Sequence, residues 1–211
     1  MVSLSELSAH SSIIPLIFGV MFFRDLGKDL KLYTIFFGVS VVFDQIINYL
    51  AEHGQNSWLF GNIFHLIEYI MIIYVFSHWQ KNIRFQKVLR WSIPVYTIFW
   101  IWVKIFGIEY MDKFPHYTRS VAAIIIAILA IYTLIKLEEN ESYIYKHYQF
   151  WICVGALLYF SGNIVLFSLS DIVLVNNLFF IHSILNISAN FLYAGGFWCC
   201  HFQLKNGIVF Y

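Results

Sequence analysis

Apolar residues in this chain fall into long runs separated by short polar stretches, without the period-2 alternation of a half-buried strand. Seven runs can be drawn, over residues 4–23, 32–51, 58–78, 90–110, 118–137, 149–169 and 176–200. A helix rises 1.5 Å per residue, so each run is close to the ~20 residues needed to cross the hydrocarbon core of a bilayer. The stretches between them, RDLGKDLK, EHGQNS, WQKNIRFQKVL, MDKFPHY, EENESYIYKHY and SDIVLV, are short. Consecutive helices are therefore expected as antiparallel neighbours. The first run is the weakest, because Glu6, His10 and Pro15 interrupt it, and its outer part reads as an interfacial turn. The pattern predicts an all-α polytopic membrane protein, with residues 1–211 forming one seven-transmembrane-helix bundle.

Composition strengthens that reading. Of the residues 60% are hydrophobic and 12% charged, where a soluble domain carries about 25% charged. No stretch is long enough for a second, soluble domain, so kinase, nucleotide-binding and DNA-binding modules are not expected, nor is a nucleic-acid partner. The N-terminal MVSLSELSAHSS has no Lys or Arg before the apolar run, which reads as a retained helix rather than a signal peptide.

Charge placement sets the expected orientation. Of the 13 Lys and Arg, ten (Arg24, Lys28, Lys31, Lys81, Arg84, Lys87, Arg90, Lys136, Lys146 and Lys205) fall on one side, and Lys104, Lys113 and Arg119 on the other. By the positive-inside rule the N-terminus is outside and the C-terminus cytoplasmic. Trp58, Trp79, Trp91, Trp151 and Trp198 fall near helix ends, where an aromatic belt meets the headgroups. The expected setting is a multi-pass protein of the cell membrane, a bacterial inner membrane, with the lipid bilayer as its first partner. A cytoplasmic signalling partner has a candidate dock in the basic third connection, although the positive-inside rule alone accounts for its charge. Cys153, Cys199 and Cys200 fall near the cytoplasmic side and read as reduced packing residues.

With the orientation fixed, polar residues inside the runs can be placed by depth. Asp44, His65, Ser161, Asn163 and His182 each lie some six to eight residues from the outer end of their run, roughly 10 Å at the helical rise. Asn48 and Asn62 sit just above this layer and Glu68 just below it, while Asn186 and Asn190 continue the His182 face at i+4 and i+8. A charged side chain at the centre of a bilayer costs at least ~2.5 kcal/mol on insertion scales, so such residues face the bundle interior. The expected site is a polar pocket in the outer half, with Asp44, Asn62, His65, Glu68, Ser161, Asn163, His182 and Asn186 as ligand-binding residues. Asp44, His65, Glu68 and His182 include the donor types of a Zn²⁺ shell. Lys104 reads as snorkelling outward, and the run containing VAAIIIAILAIY contributes almost nothing polar.

Family likeness narrows this little. Seven helices with an outside N-terminus match microbial rhodopsins, but the last run has no mid-helix lysine, so retinal is not expected; Lys205 lies beyond the run. No Pro-Gln pair links the chain to PQ-loop or SWEET carriers. Membrane hydrolases of the ceramidase and adiponectin-receptor type carry an HxxxH pair where this chain reads His182-Ser-Ile-Leu-Asn186. The phrases NIFHLIEYIMIIY, FWICVGALLYFSGNIVLF and FFIHSILNISANFLYAGGFW resemble small uncharacterised heptahelical membrane proteins of Bacteroidetes-type bacteria, a resemblance that implies the fold and carries no activity. Three functions fit: a receptor, sensor or binding subunit first; a small-solute or proton-coupled transporter with a 3+1+3 helix arrangement second; a metal-dependent membrane hydrolase third.

Overall fold

The computed structural model describes residues 4–113, 115–140, 143–168 and 175–205. Eight α-helices are present among them: α1 (Leu4–Ser11), α2 (Ile13–Met21), α3 (Lys28–Glu52), α4 (Trp58–Trp79), α5 (Ile83–Ile105), α6 (His116–Asn140), α7 (Tyr148–Ser168) and α8 (Val175–Lys205). A single 3₁₀ turn, Ile144–Lys146, leads into α7, and no strand occurs among the described residues. Helices α3 to α7 are long and apolar enough to cross a membrane. The protein is thus all-helical, with the helix lengths and composition of a membrane protein.

The first apolar run is two helices. Pro15 has no N–H to return to the Ser11 carbonyl, so the hydrogen-bond ladder stops there, and the chain restarts with the proline in the first turn of α2, where it is tolerated. The stretch expected as an interfacial turn is helix α1, packed on α8 and α3.

Several boundaries also move. Helix α5 begins at Ile83 rather than residue 90, capped by Asn82, whose Oδ1 accepts from the Arg84 and Phe85 amides at 2.9 and 3.4 Å. The basic cluster Arg84, Lys87 and Arg90 consequently projects from the first turns of a helix, not from a loop. Helix α8 runs on to Lys205. The ends of α3 and α5 are set by Gly54 and Gly107, both at φ +67°. In each case the following amide reaches back to the last turn, Gln55 N to Leu50 O at 2.8 Å and Ile108 N to Val103 O at 3.1 Å, closing a Schellman motif.

Helix α3 packs on α2 and α4, α4 on α6, α6 on α7, α7 on α8, and α8 back on α1 and α2, which closes a ring. Helix α5 packs along α4 from outside the ring. Its outward residues Val88, Trp91, Val95, Ile98, Trp102 and Ile105 are exposed, an apolar face suited to lipid. Within the ring, the half nearest the start of α3 is filled by rings and aliphatic chains, with Tyr33, Phe76 and Phe197 each wholly buried. Asp29 closes that end: its Oδ2 accepts from Trp79 Nε1 at 2.6 Å and from the Tyr148 hydroxyl at 2.7 Å, joining α3, α4 and α7.

Candidate functional site

The other half of the ring, toward the α3–α4 and α5–α6 connections, encloses a cavity of about 630 Å³. Its rim is formed by Ser57, Trp58, Pro115 and His116, and its deeper wall includes Phe37, Ile72 and Tyr193. Helices α3, α4, α6, α7 and α8 all contribute lining residues, with Ser12 from the α1–α2 junction; α5 contributes none.

On α4, His65 and Glu68 are one helical turn apart and meet: Nδ1 of His65 lies 3.0 Å from Glu68 Oε2, and both side chains are buried. The i, i+3 spacing places them on one face, as helical geometry requires. An ionised Glu68 only accepts, and Nδ1 is then the donor in this contact. On α8, His182 Nδ1 lies 2.8 Å from Asn163 Oδ1 of α7 and donates likewise. On α3, Asp44 Oδ2 accepts from the Ser12 hydroxyl at 2.9 Å and from the Ser40 hydroxyl at 3.5 Å, one turn below it.

Five of the expected residues therefore share the cavity wall: Asp44, His65, Glu68, His182 and Asn186. Asn163 is buried behind His182 and orients it. Ser161 is exposed on the opposite side of α7 and is no part of the wall. Two residues along a helix is a rotation of about 200°, so Ser161 and Asn163 cannot share a face. Asn62 is buried outside the cavity, where its amide donates to the carbonyls of Trp58 (2.9 Å), Met111 (3.1 Å) and Lys113 (3.0 Å).

Lys104 turns inward rather than snorkelling. Its ammonium donates to Asn62 Oδ1 at 2.6 Å and to Glu109 Oε2 at 3.2 Å, with only 6% and 3% of the Lys104 and Glu109 side chains exposed. Glu109 in turn accepts from Thr118 Oγ1 at 2.7 Å and from the amides of Tyr117 and Thr118, capping the start of α6. This clasp fixes the α5–α6 connection and, with it, the Pro115–His116 rim.

Three contributors escape a reading by depth. Arg119 of α6 supplies the guanidinium in the wall and donates to the Tyr159 hydroxyl at 3.5 Å; a reading by charge placement uses it only as a topology marker. Tyr159 also packs on His182 with the rings tilted by 50° and their centres 5.8 Å apart. Ser12 lines the wall from the α1–α2 junction, and Ser8 and Ser11 of α1 hold wall residues from behind. Asn186 Nδ2 donates to Ser8 Oγ at 3.0 Å, Asn190 Nδ2 to Ser11 Oγ at 2.7 Å, and Ser12 reaches Asp44. The spacing of these serines in SELSAHSS is their only signal in the sequence.

Among the described residues no group of three or more His, Cys, Asp and Glu side chains is placed to hold a metal ion. The wall brings together two carboxylates, a guanidinium, imidazoles and amides, set among Phe36, Phe37, Phe64, Trp58 and Tyr193. Compared with known protein families, curated proteins and solved structures, the chain matches none.

Proposed function

We propose that the chain is a multi-pass protein of a bacterial inner membrane, N-terminus outside and C-terminus cytoplasmic, that binds a small ligand in the outer half of a seven-helix bundle as a receptor or sensor subunit. The observation that carries this reading is the cavity, whose wall draws polar groups from five helices onto one apolar-backed space. Its size falls within the range of small-molecule sites.

Two further features support the orientation and the role. Of the three cations on the outer side, Lys104 is consumed by Glu109 and Asn62, and Arg119 lines the cavity, which leaves Lys113 as the exposed one. The inner side carries the other ten, with Lys81, Arg84, Lys87 and Arg90 all exposed and placed to meet anionic headgroups or an acidic signalling partner. The floor beneath the cavity is packed with buried rings, which suits a binding pocket closed on the inner side better than a 3+1+3 transporter path. The hydrolase reading draws no support from an arrangement in which His65 meets Glu68 and His182 meets Asn163.

Cysteine accessibility tests the reading. In a background lacking Cys153, Cys199 and Cys200, the Ser57→Cys variant is expected to react with an impermeant maleimide on spheroplasts. The Ser40→Cys variant, deep in the wall, is expected to react with a small methanethiosulfonate but not with the bulkier maleimide. A Ser57→Cys variant labelled only after lysis would invert the orientation, and a Ser40→Cys variant inert to every reagent would remove the opening.

A further inference from the structure

The charges in the cavity wall identify the chemical class of the ligand, and this step rests on the binding reading above. Two carboxylates, Asp44 and Glu68, stand in the wall with one guanidinium, that of Arg119. Glu68 has a basic side chain as its donor, since His65 lies 3.0 Å away. Asp44 has hydroxyls alone: Ser12 at 2.9 Å and Ser40 at 3.5 Å donate to Oδ2, and no Lys, Arg or His among the described residues does so. Hydroxyl donors orient a carboxylate but bring no formal charge into contact with it, His10 acting only from beyond hydrogen-bond reach, and a carboxylate taken out of bulk water is costly unless a cation meets it.

The rest of the wall says what kind of cation fits. Phe36, Phe37 and Phe64 of α3 and α4, with Trp58, Tyr159 and Tyr193, surround the space. Phe36 and Phe64 stack across the α3–α4 contact at 6.2 Å and 16°. Aromatic faces attract cations through their quadrupole and also pack against apolar groups. A cavity of about 630 Å³ is far larger than a bare alkali ion needs and is matched by a small organic molecule. We propose that the cavity takes an organic monocation, an ammonium group on an apolar body, with the ammonium held at the Asp44 carboxylate and the body against the aromatic wall.

The test uses the purified full chain in a nonionic detergent and three probes of matched apolar body: 4-phenylbutylammonium, 4-phenylbutanol and 4-phenylbutyrate. Binding is read by titration calorimetry and by the shift in melting temperature, with sodium chloride alone as a fourth arm. The expected ranking is ammonium, then alcohol, then carboxylate. The Asp44→Asn variant should weaken the ammonium at least about tenfold, the loss expected for one charge-assisted hydrogen bond, and weaken the alcohol by a clearly smaller factor. An alcohol or carboxylate that binds as tightly as the ammonium overturns the cation assignment while leaving the binding cavity in place. Ammonium preference that survives Asp44→Asn overturns the anchor, and stabilisation by sodium equal to that by the ammonium overturns the organic body. Failure of all three organic probes to bind overturns this proposal and the cavity reading together. Should Asp44→Asn not fold, the ranking on the unaltered chain decides between the charge classes, and a Ser12→Ala/Ser40→Ala variant, which keeps the carboxylate, must keep the ammonium preference.

Discussion

The clasp at the cavity rim makes a quantitative prediction. Glu109 and Lys104 form a buried ion pair at 3.2 Å, and Glu109 also holds the first turn of α6 through Thr118 and the Tyr117 amide. Removing one partner of a buried pair strands the other charge and costs about 3–5 kcal/mol. Loss of the cap on α6 adds about 1 kcal/mol, so Glu109→Ala should destabilise by about 4–6 kcal/mol. Lys104→Met is milder, because Glu109 keeps the Thr118 hydroxyl and two backbone amides as donors; about 1–3 kcal/mol is expected, as for a lost hydrogen bond to a charged group. In the double variant no charge is stranded, so its cost should fall short of the sum of the two by about 2 kcal/mol, within the range seen for contacting residues. The assay is unfolding of purified protein in mixed micelles, followed by tertiary-structure signal, for both single variants and the double. Because Pro115 and His116 line the cavity next to the capped residues, probe binding should weaken in the same order. Single variants each within about 0.5 kcal/mol of the parent, and additive in the double, would show that the clasp is not formed in solution.

At the opposite end, Asp29→Ala should cost about 2–3 kcal/mol in the same assay, since its carboxylate receives both Trp79 and Tyr148; Tyr148→Phe, which removes one of the two donors, should cost less than half of that. His65 and His182 belong to separate hydrogen-bonded pairs and meet only across the cavity, so without ligand the coupling between His65→Ala and His182→Ala should stay below about 1 kcal/mol. Coupling above that in a double-mutant cycle would mean that the two imidazoles share a hydrogen-bond network rather than only the cavity.

Depth along a helix is readable from sequence because rise per residue is constant, and depth with the expected orientation groups Asp44, Asn62, His65, Glu68, Ser161, Asn163, His182 and Asn186, of which Asp44, His65, Glu68, His182 and Asn186 line the cavity. Azimuth is harder to read. Ser161 lies at the same depth as its neighbours but on the outward face of α7, and only the packing of α7 against α8 decides that Asn163 faces in. Hydropathy marks where a helix is apolar, not where it is helical. It therefore starts α5 at residue 90, whereas the capped helix starts at Ile83. Positive-inside counting treats every Lys and Arg as a topological marker, and so hides Arg119 in the wall and Lys104 in the clasp. Both act through partners distant in sequence or across a turn, Tyr159 for one and Glu109 for the other. The serines of α1 are obscured for a similar reason, as Pro15 makes their run look broken when it only divides it.

The central claim, that the bundle holds a ligand cavity, is tested most directly by filling it. Gly61 lines the cavity, and a Cβ placed there would meet nothing within 4 Å. Gly61→Phe therefore puts a ring into the space itself, and it replaces a glycine that helices disfavour by about 1 kcal/mol. The measurement is calorimetric titration of 4-phenylbutylammonium into the parent and the variant, together with the melting temperature of each without ligand. The account predicts saturable binding to the parent, loss of binding in Gly61→Phe, and a melting temperature at least as high as the parent's. Binding that persists unchanged in Gly61→Phe would place the ligand elsewhere and contradict it.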